Sequence, residues 1–324
     1  MDTLGAANLN AWTPVRIRTE GTEPVVDWAL VDRPFTEPFF EQTADRALQH
    51  PFNQVFAQST SLDVLDAAHE RYPGIAPAGF IFHMSRCGST LISQMLSRLN
   101  STIVLSEAQP IDALLARRGR DPDGGDETSI RRLRGLIGAL SRPRHGERRL
   151  FVKFHAWHVL ELPLILRAFP GVPWVFVFRE PRAVLRSQML TQGWEAVPGA
   201  VDPRYLGIAA GDWHGIPVEA YAARVLAAFC ESALEHAERG RASFLEYTAL
   251  PDGVSSRVLP FFGIAPDDGE AERMADVARL DSKAAGSEEY GARDLRAGPE
   301  IDRAAAEWLD GPYARLRAVA ARAD

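Results

Sequence analysis

The sequence predicts an α/β protein, a three-layer α/β/α arrangement with a mainly parallel central sheet, preceded by an N-terminal extension. Short apolar runs recur along the chain, as in Trp174-Val-Phe-Val-Phe178 and Leu150-Phe-Val-Lys-Phe154. A strand that is apolar at successive positions is covered on both faces, as strands of parallel sheets are. Between these runs lie segments with apolar residues at helical spacing, and alternating strands and helices give a parallel sheet wrapped in helices. The 324 residues, 46% hydrophobic and 24% charged, suit one large core.

Residues 1–75 carry Trp12, Trp28, Phe35, Phe39, Phe40, Phe52 and Phe56 among prolines and acids. With only short regular patterns, they read as an extension packed on a domain spanning residues 76–324. That domain opens with a strand at Gly79–Met84, a turn at Ser85–Ser89, and a helix marked by Leu91, Met95, Leu96 and Leu99. Ile103–Leu105 is the next strand and Ile111–Arg118 a helix. A Gly/Asp loop leads to a basic helical stretch ending at Leu140. Leu150–Phe154 is a buried strand, Val159–Phe169 a helix, and Trp174–Phe178 a further strand. Pro181, at the first position of a helix where its missing N–H costs nothing, opens a helix running to Leu190.

Residues 191–217 break this rhythm with Gly, Pro and Trp, and a long irregular stretch in a compact domain reads as a lid. A helix at Val218–Glu238 and a strand at Ala242–Tyr247 resume it, and the tail from Asp267 is charged and mostly helical by pattern.

The net charge of −7 argues against a broad nucleic-acid footprint, which needs a basic face. An anionic ligand therefore requires positive charge gathered locally. No apolar run has the length of a membrane span, and the opening residues Met1–Asn8 lack a basic stretch followed by an apolar one, so the expectation is a cytoplasmic protein with no membrane partner. The two cysteines, Cys87 and Cys230, predict reduced thiols rather than a disulfide framework or a metal-thiolate cluster.

Ser85-Arg86-Cys87-Gly88-Ser89-Thr90 lies between a buried strand and a helix. Its backbone N–H groups and the helix N-terminus then converge on an anion, the geometry of a P-loop. The nucleotide-binding pattern Gly-Lys-[Ser/Thr] is absent, since Ser89 follows Gly88. A phosphatase loop built on Cys87 needs an arginine at the end of the turn, yet the next one is Arg98, well into the helix.

The loop resembles the 5′-phosphosulfate loop of the sulfotransferase family, with Arg86 in the Lys/Arg place and Cys87 in the serine place. Arg179-Glu-Pro-Arg-Ala-Val-Leu-Arg-Ser187 resembles the same family's 3′-phosphate segment. A guanidinium leaving a strand and a hydroxyl on the following helix can reach one phosphate. Val152-Lys153-Phe154-His155 resembles the family's Lys-Thr-His strand end, and Phe244-Leu-Glu-Tyr247 its later strand, whose tyrosine lies near adenine. The ordered likeness covers about Gly79 to Leu190.

The resemblance implies transfer of a sulfuryl group from 3′-phosphoadenosine 5′-phosphosulfate (PAPS) to a hydroxyl or amine of a small-molecule or peptide acceptor. The product nucleotide is adenosine 3′,5′-bisphosphate (PAP), and no metal is required. Ser85, Arg86, Cys87, Gly88, Ser89, Thr90, Arg179, Ser187 and Tyr247 are the implied donor-binding residues. Lys153 and Arg86 are the implied catalytic cations. Two bases compete. His155 matches the cytosolic enzymes and Glu107 the tyrosylprotein sulfotransferases. A histidine is poised near neutral pH, whereas a glutamate needs desolvation to reach that range.

Trp194, Trp213 and His214 are candidates for an acceptor pocket. Ser282 and Lys283, or Arg293 and Arg296, are candidates to close over the 3′-phosphate. The residue pattern also leaves open an ATP-dependent phosphotransferase on the same scaffold, or a non-catalytic scaffold for protein partners.

Overall fold

The computed structural model describes residues 9–66, 73–118, 125–191, 193–208, 212–239, 241–287 and 298–322, without the side chains of residues 204 and 280–287. Five strands, β4 (Pro77–His83), β5 (Thr102–Ser106), β6 (Arg149–Lys153), β7 (Trp174–Phe178) and β8 (Ala242–Glu246), form one sheet in the order β5-β6-β4-β7-β8. Every neighbouring pair is parallel. All five residues of β7 are buried, as are Phe80–His83 and Leu150–Lys153, so both faces of the sheet are covered. On one face Phe82 and Phe154 stack at 4.7 Å, with Phe80 and Trp174 edge-on around them.

Helices occupy the predicted crossovers at Ser89–Leu96, Gln109–Arg117, Asp126–Leu140, Leu162–Ala168, Pro181–Thr191 and Val218–Glu235. The helix expected at 159–169 is split: a 3₁₀ turn at Ala156–Glu161 precedes the α-helix, with Pro163 in its first turn. From β4 the chain moves first to β5 and β6 on one side, then to β7 and β8 on the other. Open α/β sheets bind ligands at the carboxyl ends of strands where the order reverses in this way. The ends of β4, β5, β6 and β7 meet there, carrying Ser85, Glu107, Lys153 and Arg179.

The N-terminal region has more regular structure than its sequence pattern suggested. Strands β1 (Thr13–Glu20), β2 (Glu23–Ala29) and β3 (Gln58–Ser61) form an antiparallel sheet, and Phe40–Gln49 is a helix. Glu20 pairs with Glu23 across a two-residue turn in which Gly21 takes the left-handed φ of 63° that glycine adopts without penalty. The Gln109 side chain accepts from the Ile17 N–H at 3.0 Å and donates to its carbonyl at 2.9 Å. Val15, Ile17, Val26 and Trp28 join the main core. Beyond β8, helices run at Asp268–Ser287, Pro299–Trp308 and Asp310–Ala320. Arg182 bonds Asp302 and Asp310 of the last two.

Candidate active site

The loop after β4 is wound in an uncommon conformation. Ser85, Arg86 and Gly88 have φ of 72°, 51° and 80°, and left-handed φ at non-glycine residues is strained and concentrates at functional sites. Gly88 caps the N-terminus of the Ser89–Leu96 helix. A Cβ there would lie 2.6 Å from Leu250 Cδ1 and 3.1 Å from the Tyr247 ring, so glycine is demanded both by conformation and by close approach. Ser89, at the first helical position, is buried.

Two predicted segments converge on this loop. Arg179, one residue beyond β7, donates from Nη1 to the Arg86 carbonyl at 3.3 Å and lays its guanidinium 4.1 Å from the Tyr247 ring centroid. Arg86 donates from Nε to Ser187 Oγ at 2.8 Å. Arg86, Arg179, Ser187 and Tyr247, separated by up to 161 residues in sequence, thus form one cluster at a helix N-terminus. These contacts place the Arg86 side chain beside Ser187 and its carbonyl beside Arg179.

Cys87 is not a nucleophile. Its thiol is buried, donates to the Val177 carbonyl at 3.1 Å, and is pushed up to about 12 by burial, so the reactive thiolate is absent at neutral pH.

A second cluster gathers at the ends of β5 and β6. Lys153, whose side chain is fully buried, pairs directly with Glu107 Oε1 and lies 3.4 Å from Thr90 Oγ1. The Glu107 N–H donates to the Lys153 carbonyl at 2.8 Å, and its φ of 53° turns its side chain back to the lysine. His155 Nδ1 is 3.4 Å from Glu107 Oε2. Burial alone pushes the Glu107 carboxyl up, but the Lys153 ammonium, a hydrogen bond from His83 and the nearness of His155 hold it well below the ordinary carboxylate range. Glu107 is therefore an anion paired to Lys153. That is the opposite of the desolvated, proton-accepting glutamate the sequence left open.

Several functional side chains were missed by sequence reasoning. His83, the buried last residue of β4, accepts the Ser85 N–H on Nδ1 at 3.0 Å and therefore carries its proton on Nε2, which faces the Phe154 carbonyl at 3.1 Å and Glu107 Oε1 at 3.4 Å. Burial lowers its pKa, keeping it neutral. It links the loop after β4 to the Glu107 cluster; its one sequence signal was a histidine ending an apolar strand.

Gln188 donates from Nε2 to Ser85 Oγ at 3.0 Å and to Glu195 Oε2 at 2.9 Å, all three buried. From the N-terminal region, the Phe39 ring centroid lies 5.4 Å from Lys153 Nζ, and Glu41 accepts the Gln109 N–H at 2.9 Å.

Beside His155 opens a cavity of about 480 Å³, lined by Asp112, Trp157, Trp194 and residues 199–203 and 205. Of the three candidates for an acceptor pocket, Trp194 is on the wall of this cavity. Trp213 and His214 do not line the cavity; Trp213 stacks on His214, and a Cβ placed at Gly199 would meet its ring at 3.8 Å. His158, the partner of His155 in an H-x-x-H pair, is buried with Nε2 at 3.2 Å from Asp112. Among the described residues no group of three or more potential metal ligands is assembled, and no helix is long and apolar enough to cross a membrane. Arg293 and Arg296 lie outside the described residues, as do the side chains of Ser282 and Lys283.

No protein-family model and no curated protein matches the chain. Its structure is similar to those of sulfotransferases. A sulfotransferase from Mycobacterium avium is 14% identical, with a TM-score of 0.46 over 87% of this chain and 86% of that one. A sulfotransferase from Alicyclobacillus acidocaldarius is 17% identical, with a TM-score of 0.45 over 75% and 95%. The sulfotransferase domain from the curacin biosynthetic pathway is 17% identical, with a TM-score of 0.43 over 73% and 98%.

Proposed function

We propose that the chain is a PAPS-dependent sulfotransferase acting on a hydroxyl acceptor. The observation that carries this reading is the Arg86–Ser187–Arg179 cluster at a left-handed loop and helix N-terminus, within one sheet edge of the Lys153–Glu107–His155 cluster. The first cluster fits an anionic nucleotide. Two guanidinium groups and a hydroxyl, now bonded to one another or to backbone, can exchange those bonds for phosphate oxygens, and Tyr247 offers a ring face for a base. Ser85–Thr90 would hold the phosphosulfate end, and Arg86, Arg179 and Ser187 the 3′-phosphate.

The bound donor supplies the sulfuryl group: the acceptor oxygen bonds to sulfur as the bridging S–O bond breaks, and the electron pair leaves on the phosphate oxygen. Lys153 neutralises charge growing on that oxygen, reached by exchanging Glu107 for it. His155 takes the acceptor proton on Nε2, the nitrogen turned from Glu107, while Glu107 orients Nδ1–H and balances the imidazolium. Of the two candidate bases we assign His155, with Glu107 as its positioning residue. In this reading residues 76–324 form the transferase domain and residues 1–75 an extension that lends it Phe39 and Glu41.

The test is thermal stabilisation. PAP alone at about a hundred times its Kd stabilises by about 2.7 kcal/mol, a clear rise in melting temperature. A rise with ATP·Mg²⁺ and none with PAP moves the reading to a phosphotransferase; a rise with neither favours a non-catalytic scaffold.

A further inference from the structure

The cavity beside His155 has a wall chemistry of its own. Its aromatic surfaces are Trp157, Trp194 and Tyr205, its charged ones Asp112 and Asp202, and no lysine or arginine stands among the described residues that line it. Its volume, about 480 Å³, lies within the range of small-molecule sites, about 300–1,000 Å³. Among the described residues the bonds to Asp112 fall on one oxygen: Oδ1 accepts Trp157 Nε1 at 2.7 Å and His158 Nε2 at 3.2 Å. Its side chain is 35% exposed, and Asp112 is among the residues that line the cavity.

Burial pushes the Asp112 carboxyl up, but the bonds from His158 and Trp157 and the nearness of His155 hold it below the ordinary range, so it is anionic at neutral pH. A carboxylate among aromatic faces attracts ammonium groups and repels carboxylates and phosphates, whose burial there leaves like charges uncompensated.

Resting on the sulfuryl-transfer reading, we infer that the acceptor is a cationic hydroxyl compound, an amino-phenol or amino-alcohol. Its ammonium is held by Asp112 between the aromatic walls, and its hydroxyl is presented to His155. The Glu161 carboxylate, fully buried, bonds both Arg118 and Tyr205, and so fixes the Tyr205 wall of the irregular 191–217 segment to the core.

Three matched phenols test this: tyramine, 4-ethylphenol and 3-(4-hydroxyphenyl)propionate, which differ chiefly in charge at the far end. Tyramine is expected to be sulfated on oxygen with kcat/KM at least tenfold above 4-ethylphenol, and the propionate poorest. Asp112→Asn, which keeps an oxygen for Trp157 and His158, should bring tyramine down to 4-ethylphenol. Ala116→Lys, on an exposed position of the cavity rim, should invert the order of tyramine and the propionate.

Equal use of all three phenols, a preference for the propionate, or sulfation on the nitrogen of tyramine overturns the inference. Quenching of tryptophan fluorescence by the same compounds, without donor, separates the two claims. Tyramine binding that depends on Asp112 without any sulfuryl transfer retains the cation site and removes the transferase reading. PAP binding with no Asp112-dependent tyramine binding does the reverse.

Discussion

Under the proposed function, the donor side and the acceptor side of the site are built differently. The donor side is a loop and a helix N-terminus at the end of a fully buried parallel sheet, with Arg179 and Lys153 fixed at strand ends. The acceptor side borrows Asp112 from one helix and Trp157 from a 3₁₀ turn, and takes Trp194 and Tyr205 from an irregular segment. Rigid strand ends suit a donor that is constant, because small displacements of a phosphate cost dearly in electrostatic stabilisation. Loops suit the partner that varies between enzymes.

Breaking the donor side should therefore abolish turnover, and Lys153→Met is expected to do most damage. Losing one preorganised charge at the reacting oxygen costs about a hundred- to a thousandfold in kcat. The same change leaves Glu107 buried without its ammonium partner, which costs about 3–5 kcal/mol of stability. Lys153→Met with Glu107→Gln should regain the stability and none of the turnover. Recovery of turnover in the double variant, measured with a saturating acceptor, would remove Lys153 from the chemistry.

Arg179→Ala comes next, with PAP affinity measured by calorimetry expected to fall about ten- to a hundredfold, the worth of a charge-assisted hydrogen bond or two. Ser187→Ala should cost about tenfold or less, and neither should alter binding of an acceptor in the absence of nucleotide. If Arg179→Ala weakened acceptor binding as much as PAP binding, the division into two sides would not stand.

That division also explains what the sequence disclosed. Trp174–Phe178 was legible to the residue because a strand buried on both faces has no polar position to blur its ends. Arg86, Arg179 and Ser187 were legible through the resemblance of two ordered segments, each of which follows such a strand. β1 was not recognised although Val15-Arg16-Ile17-Arg18 alternates buried and outward residues; the pattern is short and lies among prolines and acids.

Gln188 and Glu195 carried no local signal, and His83 only its place at the end of an apolar strand, since His83 meets Phe154 and Gln188 meets Ser85 across 71 and 103 residues, with Glu195 joined through Gln188. The choice between His155 and Glu107 was likewise illegible: it turns on Lys153 pairing with Glu107 in space.

Acidification sharpens the contrast with a smaller effect, centred on the acceptor side. Burial pushes His158 from an ordinary 6.5 down to about 4. Between these pH values the unfolded chain binds a proton that the folded one refuses, so the contribution is complete above about pH 6.5 and is lost as the pH falls toward 4. Glu107 and Asp112, with depressed pKa values, add losses of the same sign at lower pH. Denaturant midpoints should fall steadily from pH 6.5 to 4. In His158→Gln, whose amide can donate to Asp112 without titrating, the fall above about pH 4.5 should be shallower, the remainder belonging to buried His83, whose pKa is also lowered. An unchanged profile in the variant would mean that His158 is already charged in the folded protein.

The smallest effect is expected at Cys87, although it lies inside the phosphate loop. If the loop works through its backbone, the thiol is a packing atom whose hydrogen bond to Val177 is worth about 1 kcal/mol at most. Cys87→Ala should then bind PAP within about twofold of the parent chain, and N-ethylmaleimide at pH 7 should leave the folded protein unmodified at this position, because burial holds the thiol protonated. Rapid alkylation of Cys87 in the free protein, slowed by PAP, would show that the loop opens to solvent before nucleotide arrives. The rigid donor side would then be an arrangement completed by its ligand rather than one the sheet imposes beforehand.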